Sequence, residues 1–186
     1  MAEPIAPDVT LDQFFEQLLP AGFAEQQAAN PNTESVTMAF HITGDPSADW
    51  TVNIEGPKMT CVKGLSPALI TYTLSSADFR DAMLEENGAK RTLIFPERRG
   101  GRGTGALKAL RGTMALNLTR PGGDPFKIEM SFNGPATPRT TMTVALADWI
   151  AIGEGKMNGQ EAFMTGKMRV EGDMGFMMQV GMATQS

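Results

Sequence analysis

One cysteine, one histidine and one tyrosine in 186 residues remove several chemistries at the outset. A lone Cys61 forms no intramolecular disulfide. One cysteine with one histidine cannot supply the usual ligand sets of a zinc site, so no metal is expected, and no cofactor. No G-x-S-x-G nucleophile elbow is present. No apolar run approaches the ~20 residues that a membrane span requires. Cations are scarce as well: 16 Lys and Arg against 21 Asp and Glu leave a net charge of −5. That balance argues against a nucleic-acid partner and against broad attraction to anionic membranes. The opening MAEPIAPDVT lacks the basic and apolar regions of a signal peptide. The closing ATQS is not a tripeptide of the Ser-Lys-Leu type. A cytoplasmic location is therefore the expectation.

What the chain does have is periodicity. Thr10 and Gln13 form a capping box, and Leu11, Phe14, Phe15, Leu18 and Leu19 follow at helical spacing. This predicts an amphipathic helix over 10–20, ended by Pro20 and Gly22. Val36, Met38, Phe40 and Ile42 alternate with polar residues, as do Trp50, Val52 and Ile54, and a short strand is expected at 59–62. Ala68, Ile70, Tyr72 and Leu74 alternate next, and Ser75 or Ser76 caps a helix bearing Phe79, Ala82 and Met83. Residues 92–95 read as another strand. A short helix is expected at 106–110, then strands at 113–119 and 126–132 joined through Gly122-Gly123-Asp124. The heptapeptide beginning at Thr73, TLSSADF, is echoed 70 positions on by TVALADW, beginning at Thr143. The echo is either a partial duplication or a pair of similar strand-to-helix junctions.

Candidate chemistry along this chain is thin. His41 falls on the polar face of a strand with no second histidine, and reads as a solvated side chain rather than an acid–base group. Cys61 has no activating neighbour in sequence. The stretch GGRGTG at 100–105 lacks the Gly-Lys-Ser/Thr ending of a phosphate loop and the wider glycine spacing of a dinucleotide site. The basic cluster of Arg98, Arg99, Arg102, Lys108 and Arg111 reads as a solvated loop, or as a contact for anionic headgroups that would bring the chain transiently to a membrane. Asp148 and Asp173 sit where helix caps or first-turn carboxylates belong.

Half of the 14 methionines lie between Lys156 and Met182, and the same stretch divides into three elements. Asn158 with Glu161 starts a short helix through Ala162, Phe163 and Met164, and Gly166 closes it. Met168 to Val170 alternates as a strand, and Asp173 caps a last helix carrying Met174, Met177, Met178 and Met182. Methionine is flexible and polarizable and fills irregular apolar space.

Gly155, Lys156, Ala162, Phe163, Met164, Gly166, Lys167, Met168, Val170, Gly172, Asp173, Met174 and Gly175 together resemble the C-terminal signature of the sterol carrier protein type 2 family. The resemblance implies an α+β fold. Its sheet would be curved and mainly antiparallel, covered on one face by helices around an apolar cavity. It implies a non-enzymatic protein that binds a small hydrophobic ligand, such as a fatty acid, fatty acyl-CoA, sterol or other lipid, in an apolar tunnel, with lipid transfer as the purpose such binding would serve. The alternative is an accessory dimerisation or partner-binding module with its cavity filled by its own side chains. Either a monomer or a homodimer is compatible with this reading.

The whole chain is expected to form one such domain. Helix 10–20 would come first, then sheet strands and a helix over 36–88, inserted strands and a loop over 89–138, and the signature over 139–183. The residues expected to line the lipid cavity are Phe14, Phe15, Leu18, Trp149, Ile152, Phe163, Met164, Met174, Met177, Met178 and Met182. Arg98, Arg99 and Arg102 would meet an anionic headgroup.

Overall fold

The computed structural model of the chain describes residues 5–29, 31, 34–95, 105–134 and 136–185. One eight-stranded sheet runs through it: β1 (Ser35–Thr43), β2 (Ala48–Glu55), β3 (Lys58–Lys63), β4 (Ile70–Ser75), β5 (Gly112–Thr119), β6 (Phe126–Phe132), β7 (Arg139–Ala145) and β8 (Met168–Gly172). Their order across the sheet is β3-β2-β1-β4-β6-β5-β7-β8. Only β1 with β4 and β5 with β7 are parallel; every other pairing is antiparallel. The sheet is open rather than strongly curled, since β3 and β8 end it without meeting.

Alternation explains which face is which. Most even-numbered residues of β1, β2, β4, β5, β6 and β7, among them Phe40, Trp50, Tyr72, Leu116, Ile128 and Met142, are buried. The opposite face is largely threonine and other polar side chains at intermediate exposure, with the buried Thr51 bonded to the Gly64 carbonyl. Helices partly cover the buried face: α1 (Leu11–Gln13), α2 (Leu19–Ala29), α3 (Ser76–Leu84), α4 (Gly105–Ala109), α5 (Leu146–Gly153), α6 (Gly159–Met164) and α7 (Met174–Gln185). Among the described residues, no helix is long and apolar enough to cross a membrane.

Two predicted elements differ. The first helix does not end at Pro20. Its middle, Phe14–Leu18, is wound as a π-helix, with the Leu19 N–H donating to the Phe14 carbonyl, and it continues as α2 to Ala29. Proline has no N–H to give to the carbonyl four residues back, and the wider turn just before it takes up the mismatch. Residues 91–93 are a 3₁₀ turn rather than a strand: Leu93 N–H donates to the Lys90 carbonyl and Ile94 N–H to the Arg91 carbonyl. The turn drives Ile94 fully into the core.

The core is one contiguous cluster with two characters. Beneath β2, β1 and β4 it is aromatic. Phe15 stacks on Trp50 at 5.0 Å and on Phe79 at 5.5 Å, and Phe40 stacks on Tyr72 at 5.1 Å. Phe14 meets Phe15 edge-on, and Phe95 closes on Phe40. Such pairs add ~0.5–1.5 kcal/mol each beyond the area they bury. Beneath β6, β5 and β7 the core is mostly aliphatic, with Met114, Leu116, Leu118, Ile128, Met142 and Val144.

Candidate functional site

The methionine-rich end of the chain covers the second of these regions. Each of its elements starts for a local reason. Asn158 Oδ1 accepts from the N–H groups of Gln160 and Glu161 and opens α6. Gly166, at φ +75°, follows its end. Met168 of β8 is buried against the sheet. Gly172 then brings β8 so close to the Arg139 carbonyl that any Cβ would collide with it, and its φ of +97° also favours glycine. Asp173 donates its N–H to that same carbonyl at 3.0 Å. Its carboxylate accepts from Phe176 N–H at 2.7 Å and caps α7. The Gly-Asp-Met turn is thus a device for launching α7 across β7.

Two side chains anchor α7. Phe176 and Val180, one turn apart, are 1% and 4% exposed. The Phe176 ring lies against Phe132 and over Gly112, where a Cβ would come within 3.0 Å of it. Met174, Met178 and Met182 form a second stripe at the same spacing, and it faces away: Met178 is 59% and Met182 66% exposed. Met177 lies between the two stripes and is half-buried. On the neighbouring helices, Leu146 and Ala162 are buried and Trp149 and Ile152 are half-buried. The backbone of Gly159 lies against Ile152. Phe163 and Met164 are exposed.

The predicted lining residues therefore do not converge. Phe14 and Phe15 belong to the aromatic core under β1 and β2, and Leu18 is exposed on the outer side of the same helix. Trp149, Ile152, Phe163, Met164, Met174, Met177, Met178 and Met182 belong to the cover over β5, β7 and β8. Phe176 and Val180 were missed, although their i, i+4 spacing is as readable as that of the methionines. Arg98, Arg99 and Arg102 lie outside the described residues.

Two cavities sit away from this cover. One, of about 580 Å³, is lined by Ser75, Ala77, Asp78, Asp81, Asn87 and the loop 120–125. The other, of about 340 Å³, is lined by Pro67, Ala68, Arg111, Asn133 and Gly134. Neither is lined by any predicted lipid contact.

Ion pairs fix the cover and the seam of the sheet. Glu154, at the end of α5, accepts from Lys156 at 2.6 Å and from Lys90 at 2.8 Å. These lysines hold its carboxyl down at about 2. Lys167 lies 3.7 Å from Asp148. The two Gly-Lys steps of the signature thus both reach carboxylates of α5. Arg120, in the loop between β5 and β6, bridges Asp78 at 2.9 Å and Asp81 at 2.5 Å on α3. His41 pairs with Asp49 at 2.6 Å on the open face. Burial pushes the Cys61 thiol up to about 11, well outside the range of a reactive cysteine at neutral pH. Among the described residues no group of His, Cys, Asp and Glu is arranged to hold a metal.

Residues 95–185 match the sequence model of the SCP-2 sterol transfer family. The match takes in β5 and β6, within the segment set apart from sequence as an insertion; the part additional to it flanks it on the N-terminal side. Over 52 residues the chain is 38% identical to peroxisomal multifunctional enzyme A of Dictyostelium discoideum, a stretch covering 28% of this chain and 12% of that protein. Among solved structures, the sterol carrier protein domain 2 of Helicoverpa armigera is 25% identical, with a TM-score of 0.35 over 43% of this chain and 72% of that one. Sterol carrier protein 2 from Yarrowia lipolytica, in its apo form, is 15% identical, with a TM-score of 0.19 over 89% of this chain and 75% of that one.

Proposed function

We propose, from the SCP2-type domain that occupies residues 95–185 beside a flanking segment built into the same sheet, that this protein binds a lipid without transforming it. The ligand lodges between the core face of β6, β5, β7 and β8 and the cover made by α5, α6 and α7, and the protein carries or hands on that ligand. A fatty acyl chain or a sterol-sized apolar molecule suits such a site. The observation that carries this reading is that, among the described side chains of α7, two are buried and hold it down, Phe176 and Val180.

Magnitudes support it. Burying those two side chains contributes ~1.5–3 kcal/mol each, so lifting α7 costs about 3–6 kcal/mol. An acyl chain of ~14 methylenes leaving water contributes ~11 kcal/mol at ~0.8 per methylene. The surplus of about 5–8 kcal/mol, before ordering costs, reaches micromolar affinity at its upper end. The exposed Met174, Met178 and Met182 have a role in the lifted state: a helix that rolls as it rises presents a pliable apolar stripe to the ligand. Trp149, Ile152, Phe163 and Met164 form the rim beside it.

The test is titration with a fluorescent fatty acid of wild type and of a variant carrying Met177→Asp with Met178→Asp. Loss of binding in a variant with native circular dichroism is expected. Unchanged affinity there counts against the site.

A further inference from the structure

The strand order contains the same pattern twice. Read across β3-β2-β1-β4-β6, the pairings run antiparallel, antiparallel, parallel, antiparallel. Read across β4-β6-β5-β7-β8, they run antiparallel, antiparallel, parallel, antiparallel again. In the first set β1 reaches its parallel partner β4 through β2 and β3, and in the second β5 reaches β7 through β6 alone; in both, the later parallel strand enters a helix directly, α3 in one case and α5 in the other. The two strand-to-helix junctions are the echoed heptapeptides at Thr73 and Thr143. The sets overlap in β4 and β6: each copy borrows a strand from the other to complete its five.

The registers align the interiors residue by residue. Phe40 faces Trp50 on one side and Tyr72 on the other. Seventy positions after Tyr72 stands Met142, which faces Leu116, which faces Ile128. Three rings in the first copy thus stand where the second has three aliphatic side chains. The covers differ too. A helix that precedes the first copy's strands drives Phe15 between Trp50 and Phe79 at stacking distance. The helix in the corresponding place before β5 is the five-residue α4, and the second copy is closed instead by α7 on its two anchors.

We infer that residues 11–84, which precede the stretch matched by the family model, are a second copy of the sterol carrier plan whose ligand space is plugged by its own aromatic side chains. The chain then binds one lipid, under α7, and not two. This rests on the lipid-binding reading above. The first copy's role is structural: it supplies β4 to the edge of β6.

Each copy holds one of the two tryptophans, Trp50 fully buried in the first and Trp149 half-buried in the second. The experiment compares wild type with Trp50→Phe, which keeps a ring in the stack and leaves Trp149 as the sole emitter, during titration with a bromine-substituted fatty acid. Bromine quenches indole emission only at near contact. Calorimetry on the same samples gives the stoichiometry. The expected result is one fatty acid per chain in both proteins and the same absolute loss of emission at saturation in both, because only Trp149 is quenched. A larger loss of emission in wild type than in the variant, a stoichiometry of two, or binding with neither indole quenched overturns the inference and leaves lipid binding standing. Absence of calorimetric binding in wild type overturns the lipid reading itself, and the inference with it.

Discussion

Replacing Phe176 by alanine separates a docked helix from an integral one. The ring is buried against Phe132 and Gly112, and a buried Phe→Ala change costs ~3–5 kcal/mol. That is most of the 3–6 kcal/mol estimated for the docking of α7. Val180 and the half-buried Met177 and Ala183 would remain, and they are too little to hold a helix of 12 residues that is marginal by itself in water. The helix should therefore detach while the sheet survives. Hydrogen exchange read by mass spectrometry should show peptides within 174–185 losing protection by a factor on the order of 10², the equivalent of ~3 kcal/mol, with peptides of β1 and β2 unchanged. Affinity for a fluorescent fatty acid should rise, because the ligand no longer bears the cost of opening. Met178→Ala, on the exposed stripe, is the control and should move exchange by no more than ~0.5 kcal/mol. Protection of α7 that survives the loss of Phe176 refutes the two-anchor account. Loss of protection in β1 and β2 to the same extent also refutes it, because α7 would then be part of the global unit rather than a gate.

Two further outcomes are expected. Arg120→Ala leaves Asp78 and Asp81 facing each other without their cation; at side-chain exposures of only 12–16% the cost should lie near ~3 kcal/mol, lowering Tm by about 6–12 °C, and an unchanged Tm in differential scanning calorimetry would remove the bridge from the account. Cys61 should react with a thiol reagent at pH 8 about 100-fold more slowly than a free cysteine, because a pKa near 11 in place of 9.0 cuts the thiolate fraction by that factor; labelling at the free-thiol rate would show that the strand does not shield it.

The strands were legible because each has one polar face and one apolar face, so alternation alone marks β1, β2, β4 and β6. Caps were legible for the same local reason: Thr10, Ser75, Asn158 and Asp173 all do what their positions suggest. Pro20 misled, because a π turn two residues upstream depends on how the helix packs rather than on composition. The strand expected at 92–95 failed because Ile94 is buried by a turn, and a single apolar residue has no period to read. At the site, spacing shows that α7 has apolar residues on two sides. It does not show which side meets the sheet. That choice is made by Gly112 on β5, more than sixty positions away, where the missing Cβ leaves room for the Phe176 ring. Phe14 and Phe15 were assigned to the ligand for a related reason: a helix pattern says that a face is buried, but not under which half of an eight-stranded sheet.

The shared pair β4–β6 explains why a plugged copy would be retained. Without β4, β6 would be an edge strand, its N–H and C=O groups open to pairing with another chain. With β4 in place that edge is closed by a strand whose own inner face is filled with stacked rings and whose other neighbour is β1. The seam is then crossed a second time by Arg120, which ties the β5–β6 loop to α3, and a third time by Lys90, which reaches Glu154 at the end of α5. None of these three links reaches α6 or α7. The division of labour follows: the strands of the second copy are braced from one side by a filled core, and the methionine-bearing helices at the far end of the sheet can move without breaking the brace.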